Sequence, residues 1–287
     1  MAQYNGSSGW ILIGAEAVAY GTEAATLVCQ HAISSSLKGV ETRIYAPQLG
    51  SIAATTGRRI LSHAAGNVVL GHSDEEDDVA VIYNHMASLA VHTWTFGGTP
   101  TVTSHTVCNY YGGTEYEYKG AFANSITWNL VNNGISTTTL DYIARYPVVG
   151  IGAARNPTIP PETEIVIPGD LATFTVDGDP VVGLTTANIN FAWPATGMEH
   201  ISLGNAVLTQ PIRSDRPTIK ATLTLEMDTA GVAEIAHMIA DTTGGNIVID
   251  NFTLSGCKYV GDIPDLGPGL LYVPLTVEAT GLTVVTS

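Results

Sequence analysis

Alternation between apolar and polar positions dominates this chain and predicts strands. Residues 123–130 (ANSITWNL) and 135–146 (ISTTTLDYIARY) place Ile, Leu, Trp or Tyr at every second position, between short polar residues. Such residues fit a pleated surface that is buried on one face. Asn132, Asn133 and Gly134 form a turn signal that predicts a hairpin between the two runs. Residues 270–285 have the same character, so the fold class is predicted to be mainly β.

Helical spacing occurs clearly in two segments, residues 74–89 and 228–240. Each lies between predicted strands, so a strand–helix–strand unit occurs twice. Residues 123–130 and 186–193 also resemble each other (ANSITWNL and TANINFAW). We therefore predict two tandem β-sandwich or barrel domains, residues 1–155 and 156–287, each flanked by one helix. The proline-rich residues 156–162 are predicted to be a stiff linker. In the first helix the apolar stripe consists of Val79, Ile82, Met86 and Leu89.

Five consecutive acidic residues, 74–78, open the first helix, and His85 follows them. A metal site and an ordinary helix start both use such residues. Ser73 followed by Glu76 predicts a capping box, and the helix macrodipole favours negative charge in the first turn. Asp78 and His85 are two turns apart, so the acidic run is predicted to be structural and not a metal site.

Charge and motifs exclude several function classes. The chain has 26 acidic residues against 11 Lys and Arg, a net charge of −15, so a phosphate-binding basic surface is not expected. Three cysteines without a CxxC pair predict buried thiols. The glycines at 150 and 152 lack the third glycine of a dinucleotide loop, and no HExxH occurs. We predict no catalytic residue, cofactor, metal or membrane-spanning segment.

Three segments carry a family pattern. Residues 7–26 contain a short strand followed by a Gly-Glu-x-x-x-Gly-Thr-like turn. Residues 116–126 (YEYKGAFANSI) match a Tyr-x-Gly-x-x-x-Asn-Ser hairpin through Tyr118, Gly120, Asn124 and Ser125. Residues 216–228 form a strand that leads into the second helix. Together these segments resemble the tail tube protein, or major tail protein, of long noncontractile-tailed bacteriophages and related archaeal viruses.

The resemblance implies a structural subunit of a viral tail tube and not an enzyme. Copies would form rings through sheet edges, and stacked rings would conduct DNA, without specific binding, during genome delivery. Six tube-fold units per ring would be supplied by three tandem chains, or by six chains if the repeat is false. Tail tape-measure and terminator proteins are implied partners. The protein would be made in the host cytoplasm and reside in the virion tail.

Two long stretches, residues 43–59 and 196–216, precede the strands that lead to the helices. The resemblance implies that they are arms reaching the neighbouring ring. Basic residues gather at their ends, and the acidic run is a possible partner. The candidate inter-ring residues are Arg43, Tyr45, Gln48, Arg58, Arg59, Arg213, Arg216, Asp74, Glu75 and Asp77.

Two other function classes stay open. The first is another virion β-protein, such as a capsid decoration protein, a tail terminator, or a receptor- or carbohydrate-binding spike. The second is a hydrolase whose site assembles only in space. The four tryptophans lie in strand patterns, whereas a spike would favour exposed aromatic clusters.

Overall fold

A computed structural model describes residues 10–16, 20–45, 57–100, 102, 104–111, 114–132, 134–145, 147–150, 173–181, 183–196, 212–213, 216–226, 245–260 and 272–287. For residues 41–45, 57–62 and 196 the description covers the backbone alone. The strands of the first half are β1 (Trp10–Glu16), β2 (Val28–Gln30), β3 (Ala32–Ser35), β4 (Lys38–Tyr45), β5 (Gly57–Gly71), β6 (Ala87–Ala90), β7 (Thr93–Phe96), β8 (Ser104–Tyr111), β9 (Thr114–Val131), β10 (Thr137–Arg145) and β11 (Val148–Val149). The helix α1 (Glu76–Tyr83) lies between β5 and β6. The strands of the second half are β12 (Phe174–Val176), β13 (Asp179–Pro180), β14 (Leu184–Ala192), β15 (Ala195–Thr196), β16 (Ile212–Arg213), β17 (Thr218–Glu226), β18 (Gly245–Ile249), β19 (Phe252–Tyr259), β20 (Tyr272–Ala279) and β21 (Gly281–Val285).

A central antiparallel sheet contains strands from both halves, in the order β4–β5–β10–β9–β14–β17–β20. The halves meet where β14 pairs with β9, from Thr186 opposite Val131 to Ala192 opposite Ser125. They meet again in another sheet, ordered β13–β12–β18–β19–β21–β7–β6, where β21 pairs with β7. The prediction of a mainly β fold is confirmed. The division at residue 155 stays a prediction, and the linker lies outside the described residues.

Two strands pass from one sheet into another at a glycine. The first part of β9 pairs with β8 in a sheet ordered β2–β1–β8–β9–β11, and its second part lies in the central sheet. Gly120, between these parts, has a φ of 62°. In β19, Gly256 has a φ of 60° between the segments that pair with β21 and with β20. This conformation favours glycine, so each half uses glycine at the point where a strand changes sheets.

The core contains aromatic side chains from both halves. Trp128 of β9 is fully buried and donates a hydrogen bond from Nε1 to the hydroxyl of Tyr83 on α1, at 2.9 Å. Phe252 of β19 and Phe96 of β7 pack against the Trp128 ring, with centroids 5.3 and 5.2 Å away. Phe191 of β14 packs against Phe96. Large aromatic side chains supply much of the burial that stabilises such a core.

The helix differs from its prediction at both ends. It ends at Tyr83, and β6 replaces its last turn because β6 pairs with β7; Leu89 is therefore 42% exposed on a strand. The predicted capping box is wrong. Glu75 is the N-cap residue, and the Ser73 hydroxyl accepts a bond from the Glu75 backbone N–H. The carbonyl of Ser287 accepts from the Glu76 N–H, so a distant segment satisfies the helix start. The second predicted helix lies outside the described residues.

The turn between β6 and β7 is strained. Val91 and His92 have positive φ values of 47° and 57°, the conformation of a turn that favours Asn and Gly. A β-branched residue is an outlier there. Val91 is 89% exposed, so burial within the chain does not compensate for the strain.

Val91→Asn is expected to stabilise the protein by about 1 kcal/mol, because asparagine tolerates the left-handed conformation. Urea unfolding followed by circular dichroism measures the change. Leu89→Asn, at an exposed strand position of the same hairpin, serves as a control and should give no gain. An unfolding midpoint for Val91→Asn at or below that of the parent would contradict the assignment of strain.

Candidate assembly surfaces

The first candidate arm is the end of a β-hairpin formed by β4 and β5. Its terminal register pairs are Arg43 with Arg59, Ile44 with Arg58, and Tyr45 with Gly57. The predicted loop 43–59 is therefore shorter than expected, because its ends are strands. Gln48 lies outside the described residues. Strand β10 ends opposite His63, so within the described strands, residues 57–62 pair with β4 alone. The hairpin therefore extends past the central sheet.

Three arginines lie in this projecting end, which we call the basic tip: Arg43, Arg58 and Arg59. Two of them, Arg43 and Arg59, occupy paired positions. Like charges at paired positions destabilise an antiparallel ladder. An acidic group brought from another surface would relieve this repulsion.

An acidic surface lies beyond the other end of β5. This strand has 15 residues, which corresponds to about 46 Å at the usual rise of an extended chain. Asp74, Glu75 and Asp77 follow β5, are exposed, and form what we call the acidic end. The neighbouring carboxylates are engaged within the chain: Glu76 contacts His92 Nδ1 at 2.7 Å, and Asp78 accepts from Ser73 at 3.1 Å. The two ends of β5 therefore carry opposite charge.

Arg213 lies apart from the basic tip, in a site built by both halves. Its guanidinium donates hydrogen bonds to the backbone oxygens of Ala123 and Trp193, each at 2.7 Å, and of His85 at 2.9 Å. It also lies over the Phe122 ring, 4.1 Å from the centroid. Burial lowers the pKa of Arg213 to about 9. These contacts tie β16 to the first half. An inter-ring role for Arg213, and for the exposed Arg216, stays a prediction.

A neutral polar face covers the side of the central sheet that points away from the core. One register row crosses five strands and alternates with buried apolar rows. We call this row and its surroundings the Thr/Asn face; the row consists of Thr137, Asn129, Asn188, Thr222 and Thr276.

The next row of this face ends in a pair of opposite charges. Asn190 donates a hydrogen bond to Thr127 at 2.7 Å. Lys220 and Glu278 follow in register and form an ion pair at 2.8 Å. These two rows therefore present short neutral groups and one self-compensated ion pair, and the carboxylates of Asp141 and Glu226 lie further along the same face.

A buried carboxylate that the sequence analysis passed over explains the N-terminal motif. Glu16 is 1% exposed. It accepts hydrogen bonds from the backbone N–H groups of Gly21 at 2.7 Å and Gly120 at 2.8 Å, and from the Thr106 hydroxyl at 2.9 Å. These bonds satisfy the charge and fix the turn after β1 against β8 and β9. The signal available in the sequence was a single acid at the end of the apolar run WILIGAE.

Three buried histidines fill the core as neutral side chains. His85 Nδ1 lies 3.2 Å from the Val102 carbonyl, and His105 Nδ1 lies 3.0 Å from the Tyr142 hydroxyl. Burial lowers the pKa of His72 to about 4 and that of His105 to about 3, and it also lowers the pKa of His85. Within the described ranges, no group of three or more His, Cys, Asp or Glu side chains is placed to hold a metal ion.

Comparison with known families shows the family to which the chain belongs. Residues 6–279 match the family model of the phage tail tube protein. The chain belongs to the phage tail tube protein family. The match spans both halves and nearly all of the chain, and it confirms the resemblance. No curated protein matches the chain significantly.

Family membership gives this tail tube protein a structural role in the virion tail and implies self-assembly into a tube. None of the helices in the described part of the chain is long and apolar enough to cross a membrane. The relevant sites are therefore the surfaces that contact other copies and the surface that faces the interior of the tube.

Acidification is expected to destabilise the protein through the three buried histidines. The unfolded chain binds protons at these side chains below about pH 6.5, whereas the folded chain does not until the pH approaches the lowered pKa values. The contribution of these three histidines to the free energy of unfolding is therefore fully present above pH 6.5 and is lost as the pH falls. At pH 5.5 the loss is about 1.4 kcal/mol per histidine, or about 4 kcal/mol in total.

Urea unfolding at pH 7.5 and 5.5 measures this loss. His105→Gln should retain about two thirds of the pH dependence, whatever its effect on stability at pH 7.5. Equal stability of the parent at the two pH values would contradict the assignment.

Proposed function

We propose that this protein forms rings that stack head to tail into a tube, through which viral DNA passes during genome delivery. The observation that carries the stacking is the separation of charge along β5. A contact between two different surfaces of identical copies generates an open assembly that repeats without limit. The basic tip of one copy meets the acidic end of a copy in the next ring. Tape-measure and terminator proteins are the expected partners in the tail.

A ring of three chains would close the central sheets into a barrel of a diameter suited to DNA. The outer side of β5 is covered by β4 and, near its end, by β3, so the central sheet is seven strands wide. Three copies joined edge to edge would supply about 21 strands. With a spacing of about 4.8 Å and a tilt of about 40°, the backbone of such a barrel is about 42 Å across. Side chains narrow this to a bore that admits a DNA duplex.

Six chains per ring are the alternative, and their roughly 42 strands would give a barrel about 84 Å across. The diameter of the smaller barrel is closer to that of a DNA duplex, which supports the hypothesis of two tube-fold units per chain. In that arrangement the β9–β14 pair within one chain is equivalent to the contact between neighbouring chains. A covalent link makes the internal contact intramolecular and so raises its effective concentration.

The Thr/Asn face is proposed to line the bore. The strands of the sheet run parallel or antiparallel to β5, so this face lies along the proposed stacking axis. Retention of DNA depends on Lys and Arg that neutralise phosphates. A face rich in threonine and asparagine, with Lys220 paired to Glu278 and with the carboxylates of Asp141 and Glu226 on the same side, offers hydrogen bonds to water and little attraction to phosphate. DNA could therefore slide along it.

Reversing the charge of the basic tip tests the stacking. Arg58→Glu combined with Arg59→Glu should raise the critical concentration for tube formation at least about tenfold, equivalent to about 1.4 kcal/mol per contact. Adding Asp74→Lys and Asp77→Lys to the same chain should restore assembly. Lys38→Glu, at the far end of β4, is the control. Sedimentation and negative-stain microscopy give the polymer fraction, and unchanged assembly of the double variant would refute the contact.

Cysteine labelling tests the bore. In assembled tubes Thr222→Cys should react with a small maleimide but hardly with a maleimide fixed to a large protein. Thr95→Cys, on an exposed position of β7 in the other layer, should react with both reagents. The parent measures the background from its three buried cysteines. Equal reaction of the two variants with the large reagent would place the Thr/Asn face outside the bore.

A further inference from the structure

A groove beside α1 has the chemistry to receive the basic tip. It has a volume of about 470 Å³ and lies between residues 22–28 and the helix. Its apolar lining is made of small side chains: Ala15, Ala25, Val28, Ala80 and Val81. Two exposed acids also line it: Asp77, and Glu23, which is ion-paired with Lys119 at 3.1 Å. Small side chains leave room for a close approach of another backbone, and Asp77 favours a basic partner.

The hairpin end has the complementary sequence. Residues 46–56 (APQLGSIAATT) contain no charged side chain and include Leu49 and Ile52. Arginines flank this neutral segment on both sides, at 43, 58 and 59. A neutral apolar segment between basic residues matches an apolar groove flanked by acids, and such electrostatic complementarity favours the correct partner and register.

We propose that the groove is the socket for residues 46–56 of a copy in the neighbouring ring. The proposal rests on the proposed stacking and adds the surface on which the arm docks. It also explains why Asp77, which belongs to both the acidic end and the groove lining, lies beyond the opposite end of β5 from the arginines.

The tip of the same chain cannot reach its own groove. Ala15 pairs with His105, which pairs with Ala121. The next residue of β9, Phe122, lies in the row that contains Ala65 of β5. Ala65 is eight residues from Gly57, or about 26 Å along the strand. A segment of 11 residues with both ends held at the hairpin reaches at most about 18 Å. A tip that occupies this groove must therefore come from another copy, and the charges on either side of it fit the groove.

A cross-linking experiment on assembled tubes tests the location. A chain carrying Gln48→Cys and Ala25→Cys should give covalent multimers with a short bismaleimide, visible on denaturing gels. A chain carrying Gln48→Cys and Thr95→Cys, matched in cysteine number, should not. Tubes that form normally but give no multimers with the first pair would overturn the socket and leave the proposed function standing.

A double-mutant cycle tests the energetics. Ala25→Trp fills the groove from an exposed loop position and should raise the critical concentration at least tenfold. Ala32→Trp, at another exposed alanine, should not. Deleting residues 48–56 should leave the protein folded, because surface loops tolerate shortening, and should weaken stacking to a similar extent.

In the deletion background Ala25→Trp should have no further effect, because the two changes remove one contact. Circular dichroism confirms that each variant is folded. Independent, additive effects would show that the groove and the tip act separately and would overturn the proposal. Failure of the parent itself to form tubes would instead refute the proposed function.

Discussion

Strand β9 hydrogen-bonds to four other strands, and the rest of the structure depends on this shared ladder. Its first part belongs to the sheet with β8 and β11, and its second part lies between β10 and β14 in the central sheet. Buried backbone groups need partners on both sides. The pairing therefore fixes at once the position of the N-terminal sheet, the junction of the two halves and the burial of Trp128. Gly120 permits the change of direction because its φ is positive.

The central sheet is continuous across the two halves, and the same kind of strand pairing could join one chain to the next in the assembly. A sheet that ends in open edges normally risks uncontrolled pairing with other chains. In a tube that same property is useful, because edge-to-edge pairing closes a ring and removes the edges. The internal junction shows that a strand of one half accepts a strand of the other in regular antiparallel register. The proposed contact between chains requires no different chemistry.

Charged side chains are distributed unevenly between the interior, the two ends of β5 and the Thr/Asn face. The buried carboxylate of Glu16 is satisfied by backbone and hydroxyl donors, and that of Glu117 lies 3.4 Å from Lys119 Nζ. Exposed acids concentrate after β5, whereas arginines concentrate at its start. The Thr/Asn face between them carries mainly short neutral side chains, with Asp141 and Glu226 as its acids beside the Lys220–Glu278 pair. A chain with a net charge of −15 thus keeps its attractive charges at its two ends and offers phosphate little attraction along the proposed bore.

Local sequence patterns by themselves determined the strands, the existence of α1 and the family. Alternation is a local property, so the hairpin of β9 and β10 and the apolar stripe of the helix were readable from residue types. The end of the helix was not, because the pairing of β6 with β7 competes with helical spacing around Leu89. The helix cap was also decided at long range, since Ser287 satisfies the Glu76 N–H.

Among the candidate contact residues, the basic tip and the acidic run were recognisable in the sequence as clusters of like charge. Only the tertiary structure placed them at opposite ends of one strand, moved Arg213 into an internal site, and aligned the Thr/Asn face and the groove. Those relations depend on strand register and on contacts between distant segments, which no local pattern encodes.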